Sequence, residues 1–327
     1  MSKYSNICFY GGGAWGQALS ITLASLGHKS KLIVSDQTRA NEINSGISRR
    51  FSQIKLSPLI TSSVNAKEVI KESNLVFITT ESKRVMSVIE QINLLNNNEI
   101  NIVITSKGFA NKHGETFNEI IQNQFPTLTT GILTGPTFAD EIANNFPAAA
   151  ILASNHINFA NSICNLFKNS CLRLYQSNDP LGASIAGAVK NIIAIGAGII
   201  EGLNLGDNAK AALITRGISE TSRLIKSSGG NYETAFGLAG IGDMSLTCSG
   251  PHSRNMAYGM HLVTKTNKNK TLDLVEGVNA VEATLVLAKK FNIELPIVNA
   301  INEILNKEGN IKEIIHKLLS RPIKNEF

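Results

Sequence analysis

Two kinds of hydrophobic pattern divide this chain. In the first half, short apolar runs of strand length alternate with segments whose apolar positions recur at helical spacing. Residues 6–10, 31–34, 75–79, 102–105, 131–133, 148–152 and 172–175 read as strands, and 17–26, 83–91, 115–124, 138–144 and 158–167 as helices. That alternation predicts an α/β domain: a Rossmann-like, doubly wound, mostly parallel sheet covered on both faces, with ligands gathered at the carboxyl ends of its strands. Beyond Asn178-Asp179-Pro180 the strand pattern stops, and helical spacing fills 181–201, 208–227, 278–291, 297–306 and 311–319. The expectation is a dinucleotide-binding domain over 1–179 followed by an all-α C-terminal domain over 180–327.

The first strand runs straight into Gly11-Gly12-Gly13-Ala14-Trp15-Gly16, which fits Gly-x-Gly-x-x-Gly. At these positions Gly11 allows the tight turn, Gly13 lets backbone approach a pyrophosphate, and Gly16 lets the next helix pack on the strand. The helix N-terminus then faces the anion. Gly27 closes that helix, and the second strand leads to Asp36, an acid about 20 residues on, where a dinucleotide site places the group that binds ribose.

Composition narrows the classes. The 327-residue chain is 43% hydrophobic and 17% charged, with a mean hydropathy of +0.03, as expected of a globular enzyme of two domains. Its net charge of +6 is spread out. The single basic cluster, 265–270, is broken by Asn and Thr and reads as a solvated loop, which disfavours nucleic acid as a partner. The four cysteines and six histidines show no metal-ligand or disulfide spacing, so no metal is expected and the thiols read as reduced, in a cytoplasmic protein. No basic stretch followed by an apolar region opens the chain, which disfavours secretion. Residues 181–200 approach the length of a membrane span, but Lys190-Asn191 at their centre favours a helix buried in protein over an integral membrane segment.

Lys190 is the sharpest chemical candidate. An ammonium in an apolar helix must be paired, reach water at a cleft, or titrate low, and each can make a lysine an acid or base; a purely structural ion pair is the plain alternative. Asn191 points about 100° away and would meet another part of a substrate. Asp243, after a glycine-rich run, either balances a lysine or caps the helix that follows. Ser253-Arg254-Asn255 offers a phosphate grip or, more plainly, a helix-starting serine with an exposed arginine. Lys107 and the segment Gly135-Pro136-Thr137 stand at the carboxyl edge of the sheet, where an oxyanion could be held.

Taken together, Gly11 to Gly16, Ser106-Lys107-Gly108, Thr134 to Ala139, Ala188 to Gly196, Ala239 to Asp243, Ser253-Arg254-Asn255 and Val275-Glu276-Gly277 resemble bacterial NAD(P)-dependent glycerol-3-phosphate dehydrogenase through almost the whole chain. The resemblance implies reversible interconversion of dihydroxyacetone phosphate and sn-glycerol 3-phosphate, which feeds glycerophospholipid synthesis. It implies Lys190 as the proton acceptor in alcohol oxidation, supported by Asp243 and Thr247. Lys107, Gly135, Thr137, Lys190, Asp243, Ser253, Arg254 and Asn255 match the family's substrate positions. Ala14, Trp15, Lys107, Ala139, Arg254 and Glu276 match positions for NAD or NADP, with Leu274 as a neighbour.

Two departures stand out. Where the family usually carries Arg or His after the second strand, this chain has Ser35 before Asp36, with Arg39 as the nearby cation; where many relatives have Pro-Ser after the 75–79 strand, it has Thr80-Glu81. The alternatives are a dehydrogenase of another small hydroxy acid and a nucleotide-sensing module without catalysis. A homodimer is compatible with the reading.

Overall fold

The computed structural model describes residues 4–95, 100–250, 253–264, 275–306 and 310–322. The chain divides into two compact units, Met1–Ala110 with Thr116–Ser184, and Asn111–Glu115 with Ile185–Phe327. The first contains an eight-stranded sheet built from β1 (Ile7–Tyr10), β2 (Ser30–Ile33), β3 (Ile60–Ser63), β4 (Leu75–Ile78), β5 (Asn101–Ile104), β6 (Thr129–Thr134), β7 (Ala148–Ala153) and β8 (Leu172–Ser177), in the order β3-β2-β1-β4-β5-β6-β7-β8. The direction of winding therefore reverses between β1 and β4, which in an open α/β sheet is where a ligand crevice forms.

Side chains alternate across this sheet. Phe9, Leu75, Phe77 and Val103 join one buried cluster, while Cys8, Val76, Ile78, Ile102 and Ile104 join the other. A strand buried on both faces needs a continuous apolar run, which is why these strands stand out in the sequence. Every strand pairing is parallel except β6 with β7. The helix between those two, Ala139–Ala143, has 5 residues. At about 1.5 Å per residue it covers roughly 7 Å, too little to return the chain along a strand of about 20 Å, so the chain turns back antiparallel.

Sequence periodicity leaves residues 37–74 unassigned, and the structure fills them with α2 (Gln37–Asn44), β3 and α3 (Ala66–Glu72), after α1 (Ala14–Ser25). Only Ala40 and Ile43 of α2 are buried, and the edge strand β3 reads Ile-Thr-Ser-Ser, so neither gives a strong apolar signal. Their helices are marked by caps instead: Asp36 and Asn65 accept the backbone N–H groups of Arg39 and Glu68.

The second unit is helical among its described residues: α8 (Pro180–Gly202, which begins in the first unit), α9 (Asp207–Ser227), α10 (Asp243–Cys248), α11 (Arg254–Thr264), α12 (Glu276–Lys290), α13 (Pro296–Leu305) and α14 (Ile311–Leu319), numbered after four helices of the first unit, α4 (Val85–Leu95), α5 (Phe117–Gln124), α6 (Ala139–Ala143) and α7 (Ile157–Leu166). α8 is long and apolar enough to cross a membrane, yet 94% of its most apolar window is buried inside the protein. Its neighbours come unusually close. A Cβ on Gly198 would lie 2.0 Å from the Met256 carbonyl oxygen, one on Gly259 2.0 Å from that of Ile195, and one on Gly277 2.5 Å from that of Asn191. α8 therefore meets α11 and the start of α12 backbone to backbone.

Glu220 on α9 is buried and caps α13 from outside, accepting the N–H of Ile297 at 2.7 Å and of Val298 at 3.3 Å. Burial pushes its carboxyl up from 4.5 to about 7, although the two N–H groups pull it down. Because the folded value is the higher one, the associated stability is present below about pH 4.5 and is lost as pH rises through about 7. At about 1.4 kcal/mol per pH unit the loss is at most about 3.5 kcal/mol. Urea unfolding at a series of pH values is expected to show this decline, and Glu220→Gln is expected to flatten it.

Candidate active site

The glycine loop is shaped by its neighbours. Gly11 sits at φ +124°, and a Cβ there would lie 2.9 Å from Thr79 Oγ1; one on Gly16 would lie 2.1 Å from the Gly11 carbonyl, and one on Gly12 2.4 Å from Val34 Cγ1. Thr79, just past β4, donates its hydroxyl to the Gly11 carbonyl at 2.7 Å. Gln17 Nε2 donates to the Gly12 carbonyl at 2.9 Å, and Ser48 Oγ donates to Gln17 Oε1 at 2.5 Å. Thr79, Gly12, Gln17 and Ser48 were not legible as site residues, because their roles depend on segments distant in sequence.

Gly13 differs from the other three. It is the N-cap of α1 with an ordinary φ of −72°, and a Cβ there would meet no protein atom within 4 Å. No protein neighbour requires glycine here, whereas a pyrophosphate drawn against the backbone would. α1 has no side-chain cap and no acidic residue in its first turn, so its leading N–H groups suit an anion. Ala14, Trp15 and Ala139 pack on the same core cluster behind the loop. These residues fit a dinucleotide. Ser35 and Asp36 are exposed at the end of β2, and Asp36 is the N-cap of α2.

At the ends of β5 and β6 the structure brings Lys107, Gly135 and Thr137 together. Lys107 Nζ and Thr137 Oγ1 each donate to the Gly135 carbonyl at 3.2 Å. Gly135 has φ +151°, and a Cβ on it would lie 2.8 Å from Ala150 Cα. Asp140 and Glu141 occupy the first turn of α6, so an anion here would draw on Lys107 and not on the helix start.

In the second unit Lys190 is 5% exposed and Asp243 1%. Lys190 Nζ donates to Asp243 Oδ1 at 2.6 Å and to Thr247 Oγ1 at 2.9 Å, and the Thr247 hydroxyl donates a hydrogen bond to the Asp243 carbonyl at 2.6 Å. The capping alternative for Asp243 is overturned: Gly242 is the N-cap of α10, and the carboxylate faces the lysine. A π turn, Leu238–Gly242, delivers Asp243; within it a Cβ on Gly240 would lie 2.0 Å from the Ala235 carbonyl.

Beside this pair runs an amide network. Asn255 Nδ2 donates to Asn191 Oδ1 at 2.9 Å, Asn255 Oδ1 accepts the Gly277 N–H at 2.9 Å, and Asn191 Nδ2 donates to Glu276 Oε2 at 3.4 Å. Asn191 Nδ2 also donates to the Gly187 carbonyl at 3.3 Å, so the two amides are held by one another and by their surroundings. Ser253 accepts the Met256 N–H at 3.3 Å, and Arg254 is exposed. Leu274 and 265–270 lie outside the described residues. No group of metal-binding side chains occurs among the described residues, and the thiols are buried or half-buried, Cys8 and Cys248 pushed up by burial to about 12.

Two family descriptions match the chain: NAD-dependent glycerol-3-phosphate dehydrogenase N-terminus over residues 6–160, and the C-terminus of the same enzyme over 179–316. The chain is 36% identical to glycerol-3-phosphate dehydrogenase [NAD(P)+] of an Exiguobacterium species, covering 99% of this chain and 97% of that one. It is 35% identical to the protein of the same name from Fusobacterium nucleatum, covering 98% of each. The crystal structure of glycerol-3-phosphate dehydrogenase from Coxiella burnetii superposes with a TM-score of 0.89 at 31% identity, covering 96% of this chain and 98% of that one.

Proposed function

The chain belongs to the NAD-dependent glycerol-3-phosphate dehydrogenase family, and from that premise we propose how its own residues perform the NAD(P)-dependent interconversion of dihydroxyacetone phosphate and sn-glycerol 3-phosphate. The observation that carries the proposal is the buried Lys190–Asp243–Thr247 cluster. The nicotinamide, when bound, supplies or takes up the hydride. Residues 1–179 form the nucleotide domain, in which Gly11, Gly13, Ala14, Trp15 and Gly16 cradle the dinucleotide, with Ser35, Asp36, Lys107, Ala139, Arg254, Leu274 and Glu276 as further contacts. Residues 180–327 form the substrate domain.

As the ketone is reduced its oxygen gains negative charge, and the Lys190 ammonium stabilises that charge and donates the proton. In the oxidative direction the neutral amine accepts the alcohol proton. Asp243 and Thr247 aim Nζ. Arg254 and Ser253 hold the substrate phosphate, with Asn191 and Asn255 beside them and Lys107, Gly135 and Thr137 as further substrate contacts. Binding energy from the phosphate positions the reacting carbon. The enzyme works in the cytoplasm as a homodimer and feeds glycerophospholipid synthesis.

The direct test is the initial rate with dihydroxyacetone phosphate and reduced nicotinamide, read by absorbance, beside the rate with 2-ketopantoate. Faster turnover of 2-ketopantoate, or no hydride transfer to either, overturns the proposal. Arg254→Ala is expected to weaken the phosphorylated substrate by roughly 1.5–3 kcal/mol, the worth of a charged hydrogen bond. Unphosphorylated dihydroxyacetone should change little, and the exposed position predicts an unchanged melting temperature. Equal losses for the two substrates would remove Arg254 as the phosphate grip.

A further inference from the structure

We propose that Asp36 makes this enzyme selective for NAD(H) over NADP(H). The proposal rests on the dinucleotide reading of the glycine loop and goes beyond it, because that reading accepts either cofactor.

The end of β2 is tied to the glycine loop: Gly11 N donates to the Ile33 carbonyl at 3.2 Å, and Val34 Cγ1 occupies the space a Cβ on Gly12 would need. A nucleotide whose pyrophosphate lies at Gly13 therefore carries its adenosine ribose toward the residues that follow Val34, which are Ser35 and Asp36.

The carboxylate is also aimed. Asp36 Oδ1 accepts the Arg39 N–H at 2.8 Å and Oδ2 accepts the Ser35 hydroxyl at 3.3 Å. Each oxygen of a carboxylate can accept more than one hydrogen bond, so the outer lone pairs suit two donors such as the adjacent hydroxyls of a ribose. A 2′-phosphate brings only acceptors and negative charge to the same place. The carboxyl group stays ionised at neutral pH, held below its usual range chiefly by the Arg39 N–H, with Ser35, Arg39 and Arg49 adding to the effect.

A site for a 2′-phosphate needs cations to spare. Arg49 is committed to Glu42 at 2.6 Å. Arg39 lies in the first turn of α2, where its backbone N–H is held by Asp36. The residue at 35, directly after the strand segment that abuts the loop, is a serine.

The test uses the full-length enzyme and Asp36→Ser, chosen because serine retains an acceptor for the α2 cap while removing the charge. Specificity constants with NADH are expected to exceed those with NADPH by more than tenfold in the natural protein. Asp36→Ser is expected to shrink that ratio at least tenfold, with NADPH improving in absolute terms. A natural ratio of ten or less, or a ratio the substitution leaves within a factor of ten, overturns the proposal. Binding of NAD+ and NADP+ without substrate, followed by fluorescence of Trp15, the single tryptophan of the chain, separates a missing dinucleotide site from a missing effect of Asp36. Failure of both nucleotides to bind refutes the dinucleotide reading itself, whereas equal binding of the two refutes only the role of Asp36.

Discussion

Lys190→Ala is expected to lower turnover of dihydroxyacetone phosphate by at least about 100-fold, with nucleotide binding retained. One positioned group that both stabilises the developing alkoxide and supplies its proton contributes on that scale. The same substitution has a structural cost, since it strands the Asp243 carboxylate, 1% exposed, without its ammonium. Breaking one side of a buried pair costs about 3–5 kcal/mol, whereas neutralising both partners is much milder. Lys190→Met/Asp243→Asn therefore accompanies the single variant: it should melt close to the natural protein while remaining as inactive. Circular dichroism reports the fold and reduced-nicotinamide absorbance the turnover. Near-normal turnover in either folded variant would take Lys190 out of the mechanism.

Gly259→Ala is expected to be among the most damaging single methyl additions in the helical unit. The new Cβ would stand 2.0 Å from the Ile195 carbonyl oxygen, and the obstacle is backbone, which cannot swing aside as a side chain can. Overpacking a tight core costs about 1–3 kcal/mol, and more where nothing yields, so a loss of about 3 kcal/mol or failure to fold is the expected outcome. Gly13→Ala provides the contrast. Its Cβ meets no protein atom within 4 Å, so unfolding free energy should change by less than about 1 kcal/mol while nucleotide binding weakens. If urea unfolding shows Gly259→Ala to be as stable as the natural protein, α8 and α11 are not in backbone contact.

Much of this architecture was legible because it departs from what an average sequence does. An ammonium in the middle of α8 and glycines between a strand and a helix are anomalies, and physical chemistry allows few explanations for them. Fully buried strands such as Leu75–Ile78 show themselves as unbroken apolar runs. α2, β3 and α3 did not, since a polar edge buries too little to leave a periodic trace. Asp243 was ambiguous for a different reason: a helix-capping acid and a lysine partner look alike in sequence, and only the fold decides between them. Thr79 bracing Gly11, or Glu220 capping α13, could not be found at all from local pattern, because each reason lies many residues away.

Where two helices are separated by side chains, their spacing can drift by one methylene at a time, and a protein lineage can explore intermediate separations. α8 and α11 have no such gradation, because Gly198 and Gly259 already present hydrogen, and the next size up is a methyl group that the opposing carbonyl excludes. The interval between Lys190 and Asn191 on one helix and Asn255 on the other is consequently quantised. Mutations in the surrounding core can alter how firmly that interval is held, but a change in its length requires a discontinuous step in which both glycines, or the course of the helix itself, are replaced together.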